Sequence, residues 1–153
     1  MTKQKRIVVL GVGNLLKGDD GVGVRVIEAL ERGGTLPPGV ELVDGGTGGP
    51  TLMTEFAGAD ALIIVDAGEL GAAPGTVREF ALKDVAEASA PRPFSLHDVG
   101  VMGLIDLARQ AGELPPVVRF VVVQPERFDT GDRLSPAVAA AVDRAAEAVR
   151  RAF

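Results

Sequence analysis

Short aliphatic segments alternate along this chain with segments of helical periodicity, and this alternation constrains the fold more than any other feature. Runs of β-branched residues and leucine that close on glycine or aspartate are typical of strands buried on both faces. Strands are predicted over Arg6–Leu10, Val40–Val43, Ala61–Val65, Gly75–Leu82 and Val117–Val123. Helices are predicted over Gly21–Glu31, Thr51–Phe56 and Asp98–Gln110, and after a cap formed by Ser135 and Pro136. This pattern indicates an α/β fold with a mainly parallel sheet.

Two of these strands have positions in the sheet that follow from their composition. Ala61–Val65 is wholly aliphatic and is expected at the centre, whereas Gly75–Leu82 alternates in part, carries charge and is expected at an edge. The 153 residues fit one domain spanning 1–153. A chain of this size buries roughly 70% of its unfolded surface, which is enough for a core without covalent staples.

Charge, hydropathy and cysteine content exclude several function classes. The formal net charge is −5 and the 16 Lys and Arg residues are scattered, so a nucleic-acid partner is not expected. The apolar runs are far shorter than the roughly 20 residues that cross a bilayer, which predicts no membrane association and a cytoplasmic protein. The absence of cysteine excludes disulfides, cysteine catalysis and a thiolate metal site built by this chain alone.

Glycines and aspartates cluster where three predicted strands end, in Gly11–Gly23, Asp44–Gly49 and Asp66–Gly68. Ligands of open parallel sheets bind at this carboxyl edge. A nucleotide is disfavoured, because Leu16 stands where the dinucleotide fingerprint needs its third glycine and no Gly-Lys-Ser/Thr motif is present. The carboxylates that precede the first helix would also repel a phosphate, so a cation is the better ligand.

The aspartates at these strand ends have structural interpretations as well as functional ones. Either Asp19 or Asp20 could cap the first helix, although two adjacent carboxylates exceed what a cap requires. Asp66 could bond its own backbone in a strand-end turn. Each residue alone would therefore indicate little.

His97 is the only histidine of the chain and precedes the helix predicted from Asp98. Ser95 and Asp98 have the spacing of a capping box, which would place His97 near the positive helix end and disfavour its charged form. A neutral imidazole can bind a metal, although a lone histidine is more often an ordinary hydrogen-bonding residue. If this helix begins at the same sheet edge, Asp20, Asp66 and His97 form a site for a divalent transition ion.

Six motifs follow one another in unbroken order along nearly the whole chain. They are Gly11-x-Gly-Asn-x-Leu-x-x-Asp-Asp-Gly-x-Gly23, Asp44-Gly-Gly-Thr-x-Gly49, Val65-Asp-Ala67, Ser95-x-His97, Gln124-Pro-Glu126 and Leu134-Ser-Pro136. In this combination the sequence resembles the hydrogenase maturation endopeptidases, which process the large subunit of nickel-iron hydrogenases. Several motifs together are far more specific than a glycine-rich loop alone.

The resemblance implies a three-layer α/β/α fold of the phosphorylase/hydrolase-like type, with a mainly parallel five-stranded mixed sheet and one antiparallel strand. It implies an endopeptidase that removes a short C-terminal peptide from the hydrogenase large-subunit precursor after nickel insertion. In the family, a first-loop acid, an aspartate after the third strand and a histidine contact the metal, which here correspond to Asp20, Asp66 and His97. We expect the nickel to be supplied with the precursor, and we expect other divalent ions to be able to substitute for it.

The chain has neither the residues of a cysteine protease nor the His-Glu-x-x-His motif of a zinc protease. We expect the precursor's thiolates to hold nickel, and Asp20, Asp66 or a bound water to assist hydrolysis. The glycines after Asp44 would let substrate backbone approach closely, or would only form a tight turn. The alternatives are a non-catalytic nickel-sensing, chaperone-like module and a nucleotide-binding α/β protein.

Overall fold

A computed structural model describes residues 4–86 and 98–153 and shows one five-stranded sheet in this part of the chain. The strands are β1 (Ile7–Val12), β2 (Val40–Gly46), β3 (Ala61–Ala67), β4 (Val77–Ala81) and β5 (Val117–Val123). They lie in the order β2-β1-β3-β5-β4, and only β4 is antiparallel to its neighbour. The predicted mixed sheet, the central third strand and the charged edge strand are confirmed.

Five α-helices surround this sheet in the described part of the chain. They are α1 (Val22–Arg32), α2 (Met53–Phe56), α3 (Leu82–Ala86), α4 (Asp98–Gln110) and α5 (Pro136–Arg151). Two single turns of 3-10 helix lead into α1 and α2, over Gly18–Gly21 and Gly49–Leu52. The described part of the chain has no helix that is both long and apolar enough to span a bilayer.

Alternating side chains of the strands divide the core into two halves. On one face, Val9, Ile63 and Val121 pack with the apolar sides of α1 and α5. On the other, Leu10 and Ile64 pack with α4 and with Phe56 of α2. Burial on both faces explains the unbroken aliphatic runs of the central strands. The helices and the sheet therefore form the three layers that the resemblance implied.

The first three strands extend two or three residues beyond their predicted ends. β1 continues to Val12, β2 to Gly46 and β3 to Ala67, because the parallel pairing continues through residues that have little strand preference by themselves. Asp66 consequently lies inside β3 rather than after it. The short helix α3 was not predicted from the sequence.

Candidate active site

The first loop, residues 13–21 between β1 and α1, lies at the carboxyl ends of β1 and β3. The backbone at the start of α1 approaches these strand ends closely. A side chain at Gly23 would collide with the carbonyl oxygens of Val65 and Val12. Glycine is therefore the residue that lets the start of α1 rest directly on the sheet. The 3-10 turn before α1 packs against β3 as a result, which places Asp20 at the same sheet edge as Asp66.

Asp20 is a buried carboxylate, 3% exposed, in the 3-10 turn before α1. Its Oδ2 accepts a hydrogen bond of 2.9 Å from the backbone N–H of Asn14. The side chain of Asn14 in turn accepts the N–H of Leu16, so it forms a local turn that shapes the loop. The N-cap residue of the 3-10 turn is Lys17 and that of α1 is Gly21, so Asp20 occupies neither cap position.

Asp66 is also buried, 1% exposed, and lies near the end of the central strand. Its side chain belongs to the face of the sheet that carries Leu62 and Ile64, which is the face covered by α4. Oδ1 accepts the N–H of Ala67 at 2.8 Å. The sequence predicted that Asp66 bonds nearby backbone in a strand-end turn. The bond is confirmed, but it lies within a strand rather than in a turn.

Asp19 differs from its neighbour because its carboxylate is bonded by a distant part of the chain. The N–H groups of Glu126 and Arg127 donate to Oδ2 at 2.9 and 3.1 Å. Ser135 donates its N–H to Oδ1 at 2.7 Å and its hydroxyl to Oδ2 at 2.8 Å. Burial raises the pKa of Asp19, but these four donors together outweigh it and hold the pKa below its usual value. Asp19 therefore fastens the first loop to the segment between β5 and α5.

Contacts of Gln124 and Ser135 give structural roles to the motifs Gln124-Pro-Glu126 and Leu134-Ser-Pro136, which the sequence did not reveal. Ser135 occupies the N-cap position of α5 as predicted, but its hydroxyl bonds Asp19 and not the helix, so the side-chain cap was wrong. Gln124 is buried and binds the segment after β3, where its Oε1 accepts the N–H of Leu70 at 2.7 Å. Both side chains hold loops that border the candidate site. Their partners lie 54 and 116 positions away in the sequence, so only the folded structure reveals these contacts.

The loop after β2 forms a tight turn and one wall of a cleft. Asp44 is exposed, and its Oδ1 accepts the N–H of Gly46 at 3.0 Å. Gly46 and Gly49 have φ values of 48° and 66°, a conformation that favours glycine. The turn faces Gly100 in the first turn of α4 across a cleft of about 170 Å³. The tight-turn interpretation of this loop is confirmed, and the close approach of substrate backbone stays a prediction.

His97 and Ser95, the residue proposed to form a capping box with Asp98, lie outside the described residues. Within residues 4–86 and 98–153, no group of three or more His, Asp or Glu side chains is arranged to hold a metal ion. The structure thus brings Asp20 and Asp66 to one sheet edge and leaves the third predicted member of the site as a prediction. α4 begins one residue after His97.

Comparisons with known proteins agree on one family. A family model described as hydrogenase maturation protease matches residues 24–152. The chain is 41% identical over 150 residues to the hydrogenase expression/formation protein HupD of Rhodobacter capsulatus, covering 97% of this chain and 71% of that protein. It is 40% identical to the hydrogenase 2 maturation protease of Escherichia coli, covering 97% and 90%.

A solved structure supports the same assignment. The hydrogenase maturating endopeptidase HybD of Escherichia coli superposes with a TM-score of 0.84 at 38% identity, covering 96% of this chain and 91% of that one. The chain belongs to the hydrogenase maturation protease family.

Proposed function

We propose that this protein removes a short C-terminal peptide from the precursor of a nickel-iron hydrogenase large subunit, and that it recognises nickel bound to that precursor. Support comes from its family and from its 40% identity to the hydrogenase 2 maturation protease of Escherichia coli. The observation that carries the proposal is the pair of buried carboxylates, Asp20 and Asp66, that two separate elements supply to one sheet edge.

The two aspartates are the residues we assign to hydrolysis. The chain has no cysteine, so no thiol of its own can attack a peptide bond. In the proposed reaction, water attacks the carbonyl carbon, and a carboxylate oxygen of Asp20 or Asp66 accepts the proton of that water. The proton is then transferred to the amide nitrogen as the C–N bond breaks. Either carboxylate can take this role, and the other orients the substrate.

Nickel recognition would follow from the same residues. Carboxylates and imidazole bind divalent transition ions and leave positions for other ligands. A nickel ion that the precursor's own thiolates hold would gain Asp20, Asp66 and His97 as further contacts, and the scissile bond would be aligned beside the carboxylates. His97 is included because α4, which follows it directly, begins at the cleft of this sheet edge.

The experiment that tests this proposal uses nickel-loaded and nickel-free precursor with the purified protein. We expect the C-terminal mass loss, read by intact mass spectrometry, with the loaded precursor alone. Equal cleavage of both forms would contradict nickel recognition. Binding without mass loss would favour the non-catalytic sensor, and neither binding nor mass loss would mean a different partner.

Asp44→Asn is the matched control for this experiment. It removes an exposed carboxylate at the same sheet edge and keeps an oxygen that can accept the N–H of Gly46. We expect it to process loaded precursor at the rate of the unaltered protein. The cytoplasmic location and the absence of nucleic-acid partners stay predictions of the sequence.

A further inference from the structure

The cleft between the loop after β2 and the start of α4 is apolar on its side-chain walls. Val12, Leu52, Val101 and Leu104 supply most of these walls. Thr47 adds a polar side chain, and no charged residue of the described chain lines the cleft. Its volume is about 170 Å³. Apolar cavities of about 150 Å³ accept a benzene-sized molecule, so the cleft has room for one large apolar side chain.

The cleft lies beside one of the two carboxylates. Gly11 pairs with Val65 in the parallel ladder between β1 and β3, so the next residues, Val12 and Asp66, lie side by side. Both side chains belong to the face covered by α4. Neighbouring strands are about 4.8 Å apart. A wall of the cleft is therefore one strand spacing from the Asp66 carboxylate.

The wall formed by the loop after β2 is mainly backbone. Gly46, Gly48 and Gly49 all border the cleft. The turn favours glycine at Gly46 and Gly49, which have positive φ, so this wall carries few side chains. An extended peptide can lie against such a wall with its own backbone close to the loop. Successive residues of an extended segment are about 3.3 Å apart, so a peptide bond at Asp66 places a nearby side chain at the cleft.

We propose that this cleft is a specificity pocket for one apolar side chain of the precursor segment next to the cleaved bond. The inference rests on the proposed function and adds the chemistry of the substrate residue that is recognised. The described lining favours an aliphatic or aromatic side chain and rejects an acidic one, because a carboxylate would lose its hydration and would lie near the Asp66 carboxylate. Because the cleft adjoins the sheet edge that carries Asp20 and Asp66, we identify its occupant as part of the substrate.

Gly100→Leu is the variant that tests this pocket from the protein's side. Gly100 borders the cleft in the first turn of α4, and no described atom lies within 4 Å of the position of an added Cβ. The added Cβ meets no described atom, and we expect the leucine side chain to extend into the cleft that Gly100 borders. We expect kcat/KM for loaded precursor to fall at least tenfold, since a pocket distinguishes one methylene group by about 10–200-fold.

Gly103→Leu is the matched control on the same helix. Gly103 is exposed, has no described atom within 4 Å of an added Cβ and does not line the cleft. Both variants replace a helix glycine by a better helix former, so neither is expected to lower Tm. Processing by Gly103→Leu should equal that of the unaltered protein. Processing by Gly100→Leu at that same rate would overturn the inference.

A substrate series tests the pocket without altering the protein, and it decides the matter if Gly100→Leu folds poorly. Apolar residues within three positions on either side of the cleaved bond are changed singly to Ala and to Asp in the loaded precursor. We expect Asp at one position to reduce kcat/KM at least tenfold, and Ala at that position to restore cleavage by Gly100→Leu. Equal cleavage of all substrates would overturn the inference. No cleavage of unaltered loaded precursor by the unaltered protein would instead overturn the proposed function.

Discussion

Asp19 and Asp20 are neighbours of the same residue type, and both are buried, yet the structure uses them in different regions. The carboxylate of Asp19 faces the segment between β5 and α5, whose donors lie 107 to 116 positions away in the chain. The carboxylate of Asp20 accepts a bond from its own loop and lies at the sheet edge shared with Asp66. One residue supports the loop, and the other belongs to the candidate chemistry.

The difference teaches that burial alone does not identify a functional carboxylate. Asp19 is 0% exposed, and four donors stabilise its charge, so its burial has a structural explanation. Such a carboxylate is committed to its donors and is poorly suited to exchange protons with a substrate. Asp20 and Asp66 are distinguished by position, at the carboxyl edge where parallel sheets bind ligands.

The largest expected effect is that of Asp66→Asn on processing. The change keeps an oxygen that can accept the N–H of Ala67 and removes the negative charge. We expect the cleavage rate for loaded precursor to fall about 100-fold or more, which is typical for loss of an acid–base group. Intact mass spectrometry over time measures this rate. A rate within threefold of the unaltered protein, at unchanged Tm, would remove Asp66 from the site.

The next largest effect is that of Asp19→Ala on stability. The variant leaves three N–H donors and a hydroxyl without their carboxylate, and buried groups of this kind cost about 1–3 kcal/mol each. Because Glu126 and Arg127 are exposed, water can satisfy some of these donors. We expect the free energy of unfolding in urea to fall by about 3–5 kcal/mol. A loss below about 1 kcal/mol would contradict a supporting role.

The contribution of Asp19 is also expected to depend on pH. Because the folded-state pKa of Asp19 is lowered, its charge stabilises the fold fully above the ordinary pKa of about 3.9. This stabilisation is lost as the pH falls through the lower folded-state pKa. The difference in unfolding free energy between the unaltered protein and Asp19→Asn should be constant from pH 7 to 5 and shrink below about pH 4. A difference that grows on acidification would show the opposite sign of the shift.

Ser135→Ala should have the smallest effect of this set. It removes one hydroxyl donor to a carboxylate, a bond of 2.8 Å, and leaves three N–H donors in place. We expect a loss of about 1.5 kcal/mol in the free energy of unfolding. Thr54→Ala is the control, because its exposed hydroxyl donates only to a neutral carbonyl and should change stability by less than about 0.5 kcal/mol. Equal effects of the two variants would contradict a stabilising bond from the Ser135 hydroxyl to the Asp19 carboxylate.

Local patterns in the sequence predicted most of the fold. α4 and β5 have the bounds that the sequence patterns indicated. Glycine and prolines follow α4, and β5 consists of valine and phenylalanine apart from Arg119. The carboxyl ends of β1, β2 and β3 were predicted too short. Pairing with neighbouring strands, which a local pattern does not contain, extends them through glycine and aspartate.

The candidate site was predictable in part for a similar reason. Strand ends followed by aspartate and glycine identified Asp20 and Asp66, because topology brings the ends of parallel strands together. The role of Asp19 was not predictable, since its four donors belong to residues far along the chain. The cleft beside Val12 also needs the folded arrangement of the β2 loop and α4.

The most direct test of the division between the two aspartates is a parallel measurement on Asp19→Asn and Asp20→Asn. Each variant is assayed for Tm and for the rate of cleavage of nickel-loaded precursor, at a temperature well below both Tm values. We predict that Asp19→Asn has a lowered Tm and keeps most of its cleavage rate, whereas Asp20→Asn keeps its Tm and loses cleavage. The reverse pattern, or equal losses of rate in both variants at equal Tm, would contradict the account.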